Sequence, residues 1–319
     1  MLIQIVLIIF GFVVLIIAAD WLITGSVSLA RYYRISELTI GLTIVAFGTS
    51  TPELVVNIIS SIKGYNDVTL GNIVGSNIFN LMLILGLSGM VFPLTVKSKT
   101  IWNEIPFSLI AAIVLILIAN FTFKKNSGPS LNRIDGGILL LFFLIFMVYI
   151  FRNMKEKEQK LYIDYRQYKP AHSLLLIAGG LIALVISSRL VVFSSVKVAG
   201  QLGISQKLIG ITIISAGTSL PELVTSVVAA FRHKSDIAVG NIIGSNIFNI
   251  FFILGISASI APVPYNPSFN FDILLLIIST ILLFAFMFSG KKYRLDRWEA
   301  MLLTIAYISY LYYLIYNAR

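Results

Sequence analysis

Ten apolar stretches, each long enough to cross a lipid bilayer, dominate this sequence. A membrane-spanning helix needs about 20 mainly apolar residues. The chain is 58% hydrophobic and only 12% charged, whereas a soluble domain carries about 25% charged residues. We therefore predict an all-α polytopic membrane protein and not a soluble enzyme or a nucleic-acid-binding protein. The ten predicted spans cover residues 3–24, 38–61, 69–92, 102–122, 134–151, 171–195, 207–231, 237–261, 271–289 and 298–316.

The residue inventory excludes several kinds of site. There is no cysteine, and the two histidines, His172 and His233, lie near predicted span ends. A disulfide framework, a thiolate nucleophile and a cysteine-ligated metal are therefore excluded, and we expect neither a histidine-ligated metal nor a bound cofactor. The first apolar stretch lacks the basic region and the small-residue cleavage site of a signal peptide, so we expect a permanent span.

The distribution of positive charge predicts the orientation in the membrane. The loops after the first, third, fifth, seventh and ninth spans hold sixteen of the 24 Lys and Arg residues, and the other side holds seven. Because Lys and Arg collect in cytoplasmic loops, the net charge of +10 does not indicate a nucleic-acid partner. The rule places both termini outside and the polar linker 152–170 in the cytoplasm. This linker separates five spans in residues 1–151 from five in residues 171–319.

An internal repeat relates these two halves. Residues 40–55 read IGLTIVAFGTSTPELV and residues 209–224 read IGITIISAGTSLPELV. Residues 71–80 read GNIVGSNIFN and residues 240–249 read GNIIGSNIFN. In both matches the second copy begins the same number of residues after the first, at 209 after 40 and at 240 after 71, with no gap. We call this constant spacing the repeat offset. Because each half has an odd number of spans, the second half must lie inverted relative to the first. Inverted repeats with broken helices near the midplane are typical of secondary transporters.

Each copy of the repeat carries one glutamate in the middle of a predicted span, Glu53 and Glu222. A charged side chain at the bilayer centre costs roughly 2.5–3.5 kcal/mol, and neither motif contains Lys or Arg. The simplest partner is a bound cation or a proton. The alternative is a protonated, hydrogen-bonded pair that only holds the helices together.

A proline precedes each glutamate, Pro52 and Pro221. Proline has no amide hydrogen, so it frees the carbonyl four residues earlier and loosens the next ones, those of Thr49 and Thr218. Freed carbonyls in lipid need partners. A hard cation is such a partner, because Ca²⁺ takes six to eight oxygens from carboxylates, carbonyls and water.

Hydroxyl and amide side chains supply neutral oxygens around the glutamates, and these suit Na⁺ as well as Ca²⁺. Ser50 lies three residues before Glu53, so we expect both on one helix face. Ser76 and Asn80 form a polar stripe that can face the second and seventh spans. For each serine, an interhelical hydrogen bond is as good an explanation as a cation. The candidate ligands are Ser50, Ser219, Ser76, Ser245, Asn80 and Asn249, and for Asn72, Asn77, Asn241 and Asn246 we expect interhelical hydrogen bonds.

At these residues the sequence resembles the sodium/calcium exchanger family of the cation/Ca²⁺ exchanger superfamily. The motifs Gly-Thr-Ser-x-Pro-Glu and Gly-Asn-x-x-Gly-Ser-Asn, each present twice, are the two α-repeats of that family. The short linker makes this chain similar to the compact prokaryotic form. The resemblance implies Ca²⁺ export coupled to Na⁺ entry by alternating access in a prokaryotic cell membrane, with spans 1 and 6 as a sliding gate.

The resemblance also implies a division of the ligands. In the family, the two motif glutamates and two threonine backbone oxygens bind Ca²⁺, and serines with two further backbone oxygens bind Na⁺. The implied Ca²⁺ ligands are Glu53, Glu222, Thr49 and Thr218, and the implied Na⁺ ligands are Ser50, Ser76, Ser219, Ser245, Ala46 and Ser215.

Two positions depart from other members of the family. Asn249 stands where potassium-dependent members carry Asp, which argues against K⁺ transport. Arg189 stands at the position that the repeat offset makes equivalent to Asp20. This arginine either extends to a polar surface or finds a partner there, or it has a role in gating.

Other functions follow less well from the residues. A H⁺/Ca²⁺ exchanger is the nearest alternative, because the two glutamates can carry protons, and another divalent cation such as Mn²⁺ can replace Ca²⁺ among oxygen ligands. The inverted repeat argues against a channel. An intramembrane enzyme lacks a Ser–His pair in register and a His-x-x-Glu motif. We expect the lipid bilayer and the transported ions as partners, with no protein partner.

Overall fold

The computed structural model describes residues 1–98, 100–120, 129–154, 168–203 and 215–317, and nearly all of them are helical. Eight of the described helices are long and apolar enough to cross a membrane, and one bent pair forms a ninth candidate span. Numbered in chain order, the helices are α1 (Leu2–Tyr33), α2 (Glu37–Thr49), α3 (Thr51–Lys63), α4 (Asn66–Val91), α5 (Thr100–Asn120), α6 (Arg133–Arg152), α7 (Pro170–Gln201), α8 (Ser215–Thr218), α9 (Leu220–Phe231), α10 (Ser235–Ile260), α11 (Phe269–Ser289) and α12 (Arg297–Asn317).

The prediction of a helical membrane protein is therefore confirmed. The count of ten spans stays a prediction, because residues 207–214 of the seventh predicted span lie outside the described residues. Residues 155–167, most of the predicted linker, also lie outside them. The second predicted span, residues 38–61, is not one straight helix but the bent pair α2 and α3.

The two longest helices, α1 and α7, have 32 residues each. At 1.5 Å per residue each is about 48 Å long, which exceeds a hydrocarbon core of about 30 Å and favours a tilt. A Cβ added to Gly11 would lie 2.5 Å from Val191 Cγ2, and one added to Gly25 would lie 2.7 Å from the Ser173 carbonyl. The start of α1 thus meets the end of α7, and the two helices pack closely and antiparallel.

Each repeat motif breaks its helix at one serine. Ser50 separates α2 from α3 with backbone angles of −81° and 7°, and the two helices meet at a bend of 47°. Ser219 separates α8 from α9 with nearly the same angles, −89° and 10°. Pro52 and Pro221 fall in the first turn of the following helix, where a missing amide hydrogen costs no helical bond. The proline therefore starts a second half-helix instead of kinking one helix.

The helices α4 and α10 carry the second motif and are the most enclosed of the candidate spans. Each contains a stretch with the wider π-helical turn, over Phe79–Ile84 in α4 and Phe248–Leu254 in α10. A π-helical turn shifts the angular position of the residues that follow it and is frequent at functional sites. These turns begin one residue before Asn80 and Asn249.

Two short antiparallel β-ladders join loops at the two ends of the helix bundle. The strands β1 (Leu94–Thr95) and β4 (Arg294–Leu295) pair with each other, and β2 (Ser130–Leu131) pairs with β3 (Val263–Pro264). The loops after α4 and α11 therefore share one face, and those after α5 and α10 share the other. This grouping agrees with the loop sides predicted from the charges.

The first half of the broken pair packs on α10 through glycines. A Cβ added to Gly240 would lie 3.1 Å from the Gly41 Cα, and one added to Gly244 would lie 2.7 Å from the Ala46 Cβ. Small residues allow helix backbones to approach this closely in membranes. The residues that the repeat offset makes equivalent to this part of α2, 207–215, lie mostly outside the described residues.

We expect Gly244→Ala to destabilise the protein, because the new methyl group has no room beside Ala46 and overpacking costs typically about 1–3 kcal/mol. Gly137→Ala on α6 is the matched control, since an added Cβ there meets nothing within 4 Å. Thermal unfolding in detergent measures both. A midpoint for Gly244→Ala equal to that of Gly137→Ala would contradict the close packing of α2 on α10.

Candidate cation-binding site

Two glutamates lie at the helix breaks in the centre of the bundle. Glu53 is in the first turn of α3 and Glu222 is in the first turn of α9. Both side chains are buried, with 1% of their surface exposed. The amino end of a helix favours negative charge, so each half-helix partly stabilises its own carboxylate.

Hydrogen bonds cross between the two halves of the chain. Ser50 Oγ donates to Glu222 Oε1 at 2.8 Å, and Ser219 Oγ donates to Glu53 Oε1 at 2.9 Å. The serine of each break thus binds the glutamate of the other motif. The helix breaks at Ser50, and the expectation that Ser50 and Glu53 share one helix face stays a prediction.

The serines of the second motif complete these contacts. Ser245 Oγ lies 2.9 Å from Ser50 Oγ and 3.5 Å from Glu222 Oε1. Ser76 Oγ lies 3.1 Å from Ser219 Oγ. All four serine side chains are buried. The structure therefore brings the four predicted serines and the two glutamates into one cluster.

The asparagines of α4 and α10 bind one another across the bundle centre. Asn77 Nδ2 donates to the Asn246 carbonyl at 3.2 Å, and Asn246 Nδ2 donates to the Asn77 carbonyl at 3.3 Å. Asn80 Nδ2 donates to Asn246 Oδ1 at 3.1 Å, and Asn249 Nδ2 donates to Asn77 Oδ1 at 2.9 Å. The Asn80 amide therefore bonds α10, and Ser76 of the same stripe lies beside Ser219 at the break of the seventh predicted span. The amide nitrogens of Asn80 and Asn249 are thus both used as donors in bonds between α4 and α10.

Four oxygens of this network have no hydrogen-bond partner in the described part of the chain. They are Glu53 Oε2, Glu222 Oε2, Asn80 Oδ1 and Asn249 Oδ1, two pairs related by the repeat offset. A buried acceptor without a partner costs about 1–3 kcal/mol, and more when it is charged. Carboxylate and amide oxygens are ligands that hard cations prefer, so this set fits a cation well.

The threonine hydroxyls are used for packing. Thr49 Oγ1 donates to Asn241 Oδ1 at 3.0 Å, and Thr218 Oγ1 donates to Asn72 Oδ1 at 3.4 Å. The two asparagines act as interhelical hydrogen-bonding residues, as the sequence predicted. The hydroxyl hydrogens of the threonines are thus used for packing, and the family resemblance implies their backbone carbonyls as the cation ligands.

Sequence reasoning missed the residues that hold Asn72 and Asn241. Asn72 Nδ2 donates to Asn57 Oδ1 at 3.0 Å, and Asn241 Nδ2 donates to Ser226 Oγ at 2.9 Å. Asn57 and Ser226 are themselves equivalent by the repeat offset. A polar residue at equivalent depth in both repeats was the signal that could have found them.

The remaining two predicted ligands are backbone groups. The Ala46 carbonyl accepts from the Ser50 amide at 3.0 Å and from Thr49 Oγ1 at 3.3 Å. Ser215 is the first residue of α8, directly before the break at Ser219. Their role as Na⁺ ligands stays a prediction.

A cavity of about 400 Å³ borders Ser76 and Asn72. Its wall includes Asp272 of α11, whose carboxylate accepts from the Tyr310 hydroxyl at 2.9 Å. The sequence analysis did not identify Asp272, although a single carboxylate in the first turn of a predicted span was a visible signal. The cavity gives the serine cluster a polar neighbour on the side of α11 and α12.

Comparison with known proteins places this chain in a family. A model described as sodium/calcium exchanger protein matches residues 3–152 and 172–316. The chain belongs to the sodium/calcium exchanger family. The resemblance seen in the motifs is thereby confirmed, and the chain is a multi-pass membrane antiporter of compact size.

Individual relatives of this exchanger-family chain match it over nearly their full length. It is 36% identical to the putative antiporter CaxA of Alkalimonas amylolytica, over 98% of this chain and 99% of that protein. It is 29% identical to the sodium/calcium exchanger MaX1 of Methanosarcina acetivorans, over 96% of this chain and 97% of that protein. The solved structure of the sodium-calcium exchanger NCX_Mj, soaked with zero Na⁺ and Ca²⁺, matches with a TM-score of 0.83 and 31% identity, covering 98% and 99% of the two chains.

We expect Asn246→Ala to weaken cation binding in this exchanger-family chain without removing any proposed ligand. The Asn80 amide would lose the bond that fixes its orientation, and stability would fall by about 1–3 kcal/mol. The rise in unfolding temperature caused by Na⁺ would also become smaller, because binding to the folded state stabilises it. Thermal unfolding with and without Na⁺ measures both effects.

Asn120→Ala is the control, because Asn120 is exposed and bonds the half-buried Asn270 at the bundle surface. Surface substitutions of this kind usually change stability by less than about 0.5 kcal/mol. An unchanged Na⁺ effect in Asn246→Ala would show that the Asn80 oxygen does not contact the cation.

Proposed function

We propose that this chain is a secondary active antiporter that exchanges Na⁺ for Ca²⁺ across its membrane by alternating access. The observation that carries this proposal is the pair of buried glutamates, Glu53 and Glu222, each with one oxygen that has no hydrogen-bond partner among the described residues. Two carboxylates balance the charge of one Ca²⁺. Two relatives, MaX1 and NCX_Mj, are described as sodium/calcium exchangers.

For Ca²⁺ we propose the carboxylates of Glu53 and Glu222 with the backbone carbonyls of Thr49 and Thr218. The threonines sit directly before the helix breaks, one residue after Gly48 and Gly217, whose carbonyls lose their usual amide donors to Pro52 and Pro221. Ca²⁺ accepts carboxylate and carbonyl oxygens together and tolerates irregular geometry. Water can complete the six to eight ligands that Ca²⁺ takes.

For Na⁺ we propose neutral oxygens that surround the same two carboxylates. Each glutamate has a serine of the opposite break within 2.9 Å, so a Na⁺ beside the serine would also contact the carboxylate. Na⁺ and Ca²⁺ would then compete for Glu53 and Glu222, and this competition produces exchange instead of cotransport. The proposed ligands are Ser50, Ser219, Ser76, Ser245, Asn80, Asn249 and the carbonyls of Ala46 and Ser215.

We further propose ten spans in two inverted repeats, residues 1–151 and 171–319, joined by the linker 152–170. The antiparallel packing of α1 and α7 supports this, because they occupy equivalent positions in the two halves. The charge distribution supports both termini outside and the linker in the cytoplasm, in a prokaryotic cell membrane. Alternating access then exposes one central site to each side in turn.

We expect radioactive Ca²⁺ uptake into proteoliposomes to require Na⁺ inside the vesicles and to be abolished in Glu53→Gln. Glutamine keeps the size of the side chain but removes the charge that balances the cation. Glu104→Gln is the matched control, because Glu104 is another buried glutamate whose bond from the Tyr149 hydroxyl, at 2.6 Å, glutamine can keep.

Three outcomes separate the candidate functions. Na⁺-dependent uptake that is lost only in Glu53→Gln supports the exchanger. Uptake that is indifferent to Na⁺ but driven by a proton gradient would replace Na⁺ by H⁺ and keep the site. No Ca²⁺ uptake under either gradient would refute Ca²⁺ as the cargo, and the same assay with Mn²⁺ then tests another divalent cation.

We expect Ser245→Ala to raise the Na⁺ concentration for half-maximal exchange several-fold and to leave Ca²⁺/Ca²⁺ exchange nearly unchanged. The hydroxyl is a proposed Na⁺ ligand but not a proposed Ca²⁺ ligand. Ser257→Ala on the same helix is the control, because Ser257 is equally buried but bonds the Ile253 carbonyl of its own helix. Equal losses of both exchange modes in Ser245→Ala would argue for a purely structural serine.

A further inference from the structure

Residues 232–236, which run from the end of α9 into the first turn of α10, form ion pairs with three distant parts of the chain. Arg232 pairs with Asp20 of α1, and its guanidinium also donates to Thr24 Oγ1 at 2.9 Å. Lys234 Nζ lies 2.8 Å from Glu37 Oε1, at the start of α2. We call residues 232–236 the latch segment.

The third ion pair uses Asp236, whose Oδ2 lies 3.2 Å from Lys97 Nζ, just after β1. The latch segment therefore lies on the face of the β1–β4 ladder, which we call the latch face. The side chains of Lys234 and Glu37 are only 13% and 16% exposed. Isolated surface ion pairs contribute little, but several charges in a network contribute more.

The equivalent positions on the opposite face cannot form any of these three ion pairs, although Asp67 is the same residue type as its equivalent Asp236. Asp20 and Arg232 correspond to Arg189 and Lys63, which are both positively charged. Glu37 and Lys234 correspond to Gln206 and Tyr65, which cannot form an ion pair. The Lys97–Asp236 pair corresponds to Asn266 and Asp67. The repeat that is nearly identical at the membrane centre is thus unequal at its two faces.

One latch contact crosses the boundary between the α1–α7 unit and the rest of the bundle, which must open if this face is to admit ions, and the others brace the latch segment beside it. The Asp20–Arg232 pair connects α1, half of the antiparallel α1–α7 unit, to the end of α9. The Glu37–Lys234 pair holds the start of α2 beside α10, where Gly41 and Gly240 already pack closely. Opening the latch face separates oppositely charged groups, whereas closing the opposite face brings Arg189 and Lys63 together.

We propose that the latch segment is an ionic latch, which holds the latch face closed in the resting transporter and has no counterpart on the opposite face. The two access states then differ in free energy even without transported ions. By the charge distribution the latch face is cytoplasmic, so the resting protein opens outward. This inference rests on alternating access as proposed above but not on the identity of the transported ions.

Distances between spin labels test the latch, because the chain has no cysteine of its own and two introduced cysteines are the only labelling sites. Tyr33→Cys with Trp102→Cys reports on the latch face, and Leu202→Cys with Val68→Cys reports on the opposite face. All four side chains are exposed. Double electron–electron resonance is measured in nanodiscs, in buffer without Na⁺ or Ca²⁺, so that transport activity does not enter the result.

We expect Asp20→Asn with Glu37→Gln to increase the latch-face-open population at least threefold, with longer distances on the latch face and shorter ones on the opposite face. Arg189→Asp places an acid at the equivalent of Asp20 opposite Lys63 and should shift the populations in the same direction. Asp67→Asn is the matched control, because Asp67 is the equivalent of Asp236 on the opposite face, and we expect no shift from it.

Choline chloride gives a second test on the labelled protein without latch substitutions. The screening length falls from about 10 Å at 0.1 M to about 3 Å at 1 M salt, so high salt should shift the populations as the double variant does. Unchanged distances in the double variant and in high salt would overturn the latch. So would a longer latch-face distance without a shorter opposite-face distance, because that is local loosening. Absence of Ca²⁺ uptake would refute the transport proposal but leave these distances as they are.

Discussion

The structure depends on two buried carboxylates, Glu53 and Glu222, that form no ion pair within the described part of the chain. The ion pairs of Lys97 and Lys234 lie at a face of the bundle, away from both glutamates. Two negative charges held at that depth need a counter-charge or a proton, either of which can come from solution. A site of this kind is therefore more stable when it is occupied.

The chain meets this constraint with parts from both halves. Each glutamate accepts its serine hydrogen bond from the other motif, so neither half holds a complete site. The helix breaks at Ser50 and Ser219 make this possible, because they end one half-helix and start another beside the carboxylate. The asparagine contacts between α4 and α10 then use the amide nitrogens of Asn80 and Asn249 and leave their buried oxygens without a partner among the described residues.

The two halves are alike where ions would bind and unlike where the protein would open. Because the ligands of the two halves are equivalent, the same set of ligands can bind ions when the site is open to either side of the membrane. Unequal faces let those states differ in stability. The ion pairs of residues 232–236 and the like charges of Arg189 and Lys63 give this difference a physical cause at positions that contact no transported ion.

The sequence by itself determined the membrane class, the repeat, the two glutamates and the prolines that break the helices. These features are local: apolar length, a fixed offset and a missing amide hydrogen are visible without knowing which helices touch. Most of the ligand candidates followed for the same reason, because polar residues inside apolar spans are conspicuous.

Only the tertiary structure decided which side chains are partners. Ser50 binds Glu222 and not the nearby Glu53, because the backbone turns at Ser50 and the partner comes from another helix. The structure shows that Asn57 accepts a hydrogen bond from Asn72, and Ser226 one from Asn241. It also shows that Asp20 forms an ion pair with Arg232 in the other half of the chain. Contacts between helices depend on how the helices pack, and helical periodicity within one segment carries no information about that.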